Sequence, residues 1–241
     1  MRRERTPEQT LADARVLVIG VGGLGAPAAR ALAAAGVGTL GLVDPDVVEL
    51  SNLHRQPLYV DADLGHPKVT AAAYRLRALA PALRVETWRT RFTLADAALV
   101  RDFDLVIDGT DSIAAKFEVN DAAVGAGVPL VHGGVLGFQA QLLTVLPGGA
   151  CYRCVFEEPP PPADVPSCTE AGVLGPVAVL AGALQAAEAI RVLTGAGAMF
   201  AGRLLAVDAR TGRWRTVPVA RRPRCPTCAG APGAFERSEA S

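Results

Sequence analysis

Short continuous apolar runs alternate with longer stretches of helical periodicity over the first half of the chain. Arg15–Gly20 (RVLVIG) is one such run, the pattern of a strand buried on both faces of a sheet. The same grammar predicts a helix over Gly22–Ala35, a strand over Thr39–Asp44, a helix over Pro67–Leu79 and a strand over Leu83–Trp88. It continues with helical character over Thr93–Arg101, a strand over Phe103–Asp108, a helix over Ser112–Ala126 and a strand over Pro129–His132. Strands and helices in alternation predict an α/β fold, with a doubly wound, Rossmann-like, mainly parallel sheet covered on both faces.

After His132 the pattern changes. Phe138–Leu146 has strand character but no room before it for a crossover helix, so an antiparallel addition is expected. Glu157–Pro166 (EEPPPPADVP) makes a poor helix or strand and is expected to be a mobile crossover loop within 156–171. Ala171–Leu193 is predicted as a buried helix. A membrane span is its weaker reading, because Pro176, Gln185, Glu188 and Arg191 interrupt it and the clean apolar part is short. Short strands over Arg203–Asp208 and Arg213–Val219 precede a cysteine-rich end, and the tail after Gly230 is expected to be disordered. The expected organisation is a short arm over 1–14, one domain over 15–230 and the tail over 231–241.

The 241 residues allow one sizeable core and argue against two large independent domains. Lysine plus arginine equals aspartate plus glutamate, 24 of each, so no net field recruits nucleic acid or an anionic membrane. Neither is expected as a partner. Met1–Thr10 is polar and lacks the apolar core of a signal peptide, which predicts a cytoplasmic protein.

Gly20-Val21-Gly22-Gly23-Leu24-Gly25 places GxGxxG between a predicted strand and helix, where phosphate can approach free N–H groups. Such a cluster also serves plain helix–strand packing. Asp44 ends the second strand about 20 residues on, the spacing of a ribose-binding acid; its other reading is a solvated turn acid. Ser51, Asn52, Arg55 and Gln56, with Lys68 at the next helix start, supply amide donors and cations that suit a triphosphate better than a nicotinamide. Asp111, in Asp108-Gly109-Thr110-Asp111, is a candidate Mg²⁺ ligand or a helix N-cap, and Asp108 is the less favoured acid.

Cys151-Tyr152-Arg153-Cys154 and Cys225-Pro226-Thr227-Cys228 are two CxxC pairs, enough thiolates to close a tetrahedral Zn²⁺ site. In a cytoplasmic-type chain they favour zinc over disulfides, with a redox CxxC as the minor reading. A four-cysteine site keeps no open position, so it is expected to staple the C-terminal part to the fold. Cys168 stands apart, either a reactive nucleophile near a helix start or a small buried apolar group.

GVGGLG, LVDPD, SNLHRQ, a Pro-Lys helix start, GTD, CYRC, SCTEAGVLGP and CPTC occur in an order that resembles the ThiF/MoeB/HesA branch of the ubiquitin-activating-like superfamily, over roughly residues 14–230. The resemblance implies ATP-dependent adenylation of the C-terminal Gly-Gly carboxylate of a small ubiquitin-like sulfur-carrier protein. It implies Asp44 on the ATP ribose, Gly23, Asn52, Arg55 and Lys68 on the phosphates and Asp111 supporting Mg²⁺. It also implies a homodimer, a sulfur donor protein downstream, and a covalent role for the cysteine matching Cys168 in some members. Three departures stand out: His54 where Gln is common, Ser112 where Asn often follows the Asp, and a short arm offering only Arg2, Arg3 and Arg5 to a partner subunit. Two rival readings are an NAD-dependent oxidoreductase, resting on GxGxxG and Asp44 alone, and a non-catalytic nucleotide-binding scaffold.

Overall fold

In the computed structural model, which describes residues 5–161 and 172–230, the chain opens on helix α1 (Pro7–Asp13). Thr6 caps it: its hydroxyl accepts from the Gln9 N–H while the Gln9 side chain accepts from the Thr6 N–H. Leu11 buries itself in the body of the protein, so part of the predicted arm is docked. The alternating elements are β1 (Arg15–Ile19), α2 (Gly25–Ala34), β2 (Thr39–Val43), α3 (Lys68–Leu79), β3 (Arg84–Trp88), α4 (Ala97–Val100), β4 (Leu105–Asp108), α5 (Ile113–Ala126) and β5 (Leu130–Leu136). There follow β6 (Gln139–Val145), α6 (Tyr152–Val155), α7 (Gly175–Leu193), β7 (Arg203–Asp208) and β8 (Arg213–Pro218).

All eight strands lie in one sheet in the order β3-β2-β1-β4-β5-β6-β7-β8. The first five pair in parallel and β6, β7 and β8 add antiparallel, as the sequence pattern predicts. The chain winds outward from β1 to β3, then restarts on the other side at β4. The chain leaving β1 enters α2 on one face of the sheet and that leaving β4 enters α5 on the other, which opens a crevice at the carboxyl edge.

Strand alternation sorts the core into two layers. Val16 and Val18 join Leu40, Leu42 and the small residues of α2 and α7, while Leu17 and Ile19 join Val106, Phe117 and the residues around Cys151. The alanine- and glycine-rich composition follows from close helix approach: a Cβ on Gly182 of α7 would lie 2.4 Å from the Leu24 carbonyl oxygen. Helix α7 is long and apolar enough to cross a membrane by length and composition, yet it is a core helix here. Its Glu188 is buried and accepts from Thr144 Oγ1 at 2.7 Å and the Phe200 N–H at 2.9 Å.

Three elements differ from expectation. The 93–101 helix is a 3₁₀ turn, Leu94–Asp96, followed by the single turn α4, with Asp96 accepting from the Thr93 N–H at 2.9 Å at its start. Strand β5 runs past His132 to Leu136 and forms a hairpin with β6 through Gly137 at φ 57°. Gly133 and Gly134 hide that extension in the sequence, and Gly133 is required: the Gln185 amide would lie 2.6 Å from a Cβ there. The short helix α6 between the first cysteine pair was not anticipated. Most of the crossover loop and the whole 231–241 tail lie outside the described residues.

Candidate nucleotide site and cysteine cluster

A cavity of about 360 Å³ fills the crevice between the loops that follow β1, β2 and β4. Gly20, Gly22 and Gly23 line it; Gly25 does not. Gly20 has φ 83°, and a Cβ on Gly25 would sit 1.8 Å from the Gly20 carbonyl oxygen. A Cβ on Gly109 would likewise lie 2.5 Å from that oxygen, so Gly20, Gly25 and Gly109 let the two turns touch. Packing and ligand approach are thus divided among the glycines, with Gly22 and Gly23 left facing the cavity.

Asp44 is buried beside β2 and ties that strand end to the glycine loop. One oxygen accepts from the Val21 N–H at 2.7 Å and the other from the Asp46 N–H at 2.9 Å. Burial pushes its pKa up, and the Lys68 charge and these two N–H groups only partly oppose that. Asn52, Arg55, Gln56 and Lys68 converge on the same cavity, whereas Ser51 is exposed outside it. The 3₁₀ turn Leu50–Arg55 presets this cluster: Arg55 donates to the Ser51 carbonyl at 3.1 Å and to the Asn52 side-chain oxygen. Gln56 is buried with its side-chain oxygen unpartnered among the described residues, an acceptor left open on the cavity wall.

Lys68 begins α3 with its side chain buried and its Nζ 2.9 Å from Asp46 Oδ2. Asp111 is exposed at the rim, with no hydrogen bond among the described residues. The N-cap of α5 is Ser112, whose Oγ accepts from the Ala115 N–H at 3.4 Å, so the capping role falls beside Asp111 and not on it. Cys168, Arg2 and Arg3 lie outside the described residues, and Arg5, just before α1, pairs with Asp13 at the end of that helix at 2.9 Å.

Sequence reasoning missed a buried polar network beneath the cavity. Asp108 is fully buried; His132 Nδ1 lies 2.7 Å from its Oδ2, and Thr110 donates to its Oδ1 from the hydroxyl at 2.6 Å. Lys116 Nζ lies 3.5 Å from the same carboxylate and donates to the Thr110 and Gly133 carbonyls at 2.6 and 2.7 Å. Burial alone would raise the Asp108 pKa, but the Lys116 charge and the bonds from His132 and Thr110 hold it far below the usual carboxylate range. Burial pushes the His132 pKa down. A lysine inside a predicted helix reads as solvated; the one available signal was His132 at the end of an apolar strand. Asp46, Thr90 and Arg91 of the cavity wall gave no signal either.

A second cavity, about 760 Å³, opens on the antiparallel side and shares Asp111, Lys116 and Val135 with the first. Phe117, Tyr152 and Phe156 make its floor apolar, while Arg213 and Arg215 of β8 stand at its edge.

The four cysteines of the CxxC pairs converge, with all Sγ atoms within 4.8 Å of one another. Cys151 and Cys225 lie 3.6 Å apart and Cys154 and Cys228 3.5 Å apart, and all four are free thiols. Zn–S bonds of about 2.3 Å in a tetrahedron place sulfurs about 3.8 Å apart, so the donor set fits Zn²⁺. Burial raises the Cys225 pKa, but N–H groups of Cys228 and Thr227 outweigh it and bring the thiol down to about 7. Asp121 of α5 binds both knuckles, accepting from Arg153 at 2.8 Å and from Thr227 Oγ1 at 2.8 Å.

A parallel sheet with its cavity at the switch point, cationic on one wall and stapled by four thiols, defines a Rossmann-type nucleotide-binding α/β protein. The ThiF family pattern matches residues 4–227, and the chain belongs to that family. It is 47% identical over 232 residues to the sulfur carrier protein adenylyltransferase of Thermus thermophilus, covering 93% of this chain and 86% of that protein. The SAMP-activating enzyme E1 of Haloferax volcanii is 44% identical over 219 residues, covering 90% and 81%. Against the adenylyltransferase and sulfurtransferase MOCS3 of Sus scrofa, identity is 46% over 94% of this chain but 50% of that protein. The crystal structure of Escherichia coli MccB with ATP shares the fold, with a TM-score of 0.80 at 23% identity over 92% of this chain and 68% of that one.

Proposed function

We propose that the protein is an ATP-dependent adenylyltransferase acting on the C-terminal Gly-Gly carboxylate of a small ubiquitin-like sulfur-carrier protein, with release of pyrophosphate. The observation that carries this reading is the junction of the two cavities at Asp111, Lys116 and Val135. A nucleotide in the first cavity and a peptide tail in the second would meet there. The names of the relatives, a sulfur carrier protein adenylyltransferase and a SAMP-activating enzyme, support the same substrate class.

Asp44 holds the ribose and Gly20, Gly22 and Gly23 let the phosphates approach the backbone. Asn52, Gln56, Arg55 and Lys68 bind the phosphates, and Arg55 and Lys68 neutralise charge as pyrophosphate leaves. Ser112 caps the helix that begins just after Asp111. Asp111, a hard oxygen donor with no hydrogen bond among the described residues, would hold Mg²⁺, which supplies further neutralisation of the phosphates when bound. The carrier carboxylate attacks the α-phosphorus while already ionised, so no general base is required. Cys151, Cys154, Cys225 and Cys228 hold structural Zn²⁺. Family membership supports a cytoplasmic homodimer that passes the acyl-adenylate to a sulfur donor protein, with Cys168 serving after adenylation.

ATP–pyrophosphate exchange tests the reading. Exchange stimulated by the cognate Gly-Gly-ended carrier is the expected result. ATP binding without exchange would leave a nucleotide-binding scaffold, and NAD binding in place of ATP would leave an oxidoreductase.

A further inference from the structure

We infer that Lys116 is a positioning residue for adenylation, a clip that fixes the ends of β4 and β5 at the point where the two cavities meet. This deepens the adenylation reading and rests on it. Strands β4 and β5 are paired up to Asp108 and His132 and no further, because β4 ends at Asp108 while β5 runs on to Leu136. Beyond that pair, the Thr110 and Gly133 carbonyls lack the N–H groups that a continued ladder would offer. Lys116 supplies donors to both, at 2.6 and 2.7 Å. One layer deeper, Gln185 Nε2 spans the same two strands, donating to the Asp108 and Val131 carbonyls at 2.8 and 3.0 Å.

An ammonium has three protons. Two of those of Lys116 are committed to the carbonyls and the third points to Asp108 Oδ2 at 3.5 Å, so none is spare for a phosphate. Its effect must pass through the backbone it holds. Thr110 precedes Asp111, whose carboxylate has no bond of its own among the described residues, so the Thr110 peptide sets where Asp111 stands. The Lys116 charge also balances the buried Asp108 carboxylate, and a test has to separate the two roles.

Three variants do so: Lys116→Met, Lys116→Arg, and the double variant Asp108→Asn with Lys116→Met, which leaves no unpaired buried charge. Lys116→Met is expected to lower the kcat of carrier-dependent exchange about 100-fold, the scale of an ångström-sized misplacement, and to leave ATP affinity unchanged. Lys116→Arg, which keeps cation and donors, recovers most of the rate. The double variant folds and stays slow. Amide hydrogen exchange across Gly109–Ile113 reads the clip without any catalysis: it quickens in Lys116→Met and in the double variant and returns to the wild-type rate with Lys116→Arg. A double variant with wild-type kcat, an ATP affinity that falls in step with kcat, or unchanged amide exchange in that segment would each overturn the inference. A wild-type protein that shows no carrier-dependent exchange would instead refute the adenylation reading, and the amide exchange would still decide whether the clip exists.

Discussion

The ammonium of Lys68 sits 2.9 Å from the carboxylate of Asp46, a pair in which the cation is buried and the acid largely exposed. An exposed acid adds little stability of its own, yet it occupies a cation of the cavity wall, the one we propose for the phosphates. A triphosphate must share or displace it. Asp46→Asn is therefore expected to tighten binding of a non-hydrolysable ATP analogue, most clearly at low salt where the exposed charge is least screened. Lys68→Met is expected to lose about 1.5–3 kcal/mol of that binding, the scale of a hydrogen bond to a charged group. Titration calorimetry at two salt concentrations checks both; weaker binding by Asp46→Asn would mean that Asp46 orients Lys68 and does not compete for it.

The cysteine cluster should carry one Zn²⁺ per chain after purification under reducing conditions. Cys225→Ser breaks the tetrahedron and should release the metal. At this chain length each kcal/mol lost lowers Tm by about 2–4 °C, so a shift of several degrees is expected. The cluster is held to α5 through Asp121, not to the glycine turn after β1, so ATP affinity should stay near that of the wild type at low temperature. Elemental analysis finding no zinc in fresh reduced protein would remove the assignment.

Cys168→Ala is expected to keep carrier-dependent pyrophosphate exchange near the wild-type rate, because an ionised carboxylate needs no thiol to attack the α-phosphorus. The thiol should matter only after adenylation. Intact mass spectrometry with carrier, ATP and a sulfur donor should then find an enzyme–carrier adduct that reductant removes and that the variant lacks. Loss of exchange in the variant would place Cys168 in the first step.

Much of this architecture was legible because its signals are local. The apolar run of β1, the glycine turn, Asp44 and the paired cysteines each declare themselves within a few residues, and the parallel order follows from the strand–helix alternation. What stayed hidden depends on contacts between distant segments. Asp108, Lys116, His132 and Gln185 come from β4, α5, β5 and α7, and no spacing announces that they meet. Lys116 reads as a solvated helix lysine until β5 places the Gly133 carbonyl beside it. Ser51 shows the converse: it belongs to a polar cluster in the sequence, but the 3₁₀ turn points it away from the cavity that Asn52 and Arg55 line.

The His132–Asp108 bond predicts how stability responds to acid. Asp108 can only accept, so Nδ1 of the 2.7 Å pair carries the proton; in the neutral ring the buried Nε2, unpartnered among the described residues, is then a bare lone pair. Protonating Nε2 would bury an N–H with no acceptor among the described residues, and burial lowers the native pKa below its ordinary value. The unfolded chain takes up a proton near pH 6.5, while the native protein resists until lower pH. Unfolded molecules therefore bind more protons in that window, and stability falls as pH falls, by at most about 1.4 kcal/mol per unit. Asp108 does not interfere: its native pKa is depressed, so its contribution is intact above about pH 4 and fades only below. His132→Asn keeps a donor for Asp108 but cannot titrate. It should be less stable than the wild type at pH 8 and show a shallower loss between about pH 6.5 and 5. Because both proteins carry the same cysteine cluster, the difference between their urea unfolding curves isolates the ring. Equal slopes would mean that the native protein protonates His132 as readily as the unfolded chain does.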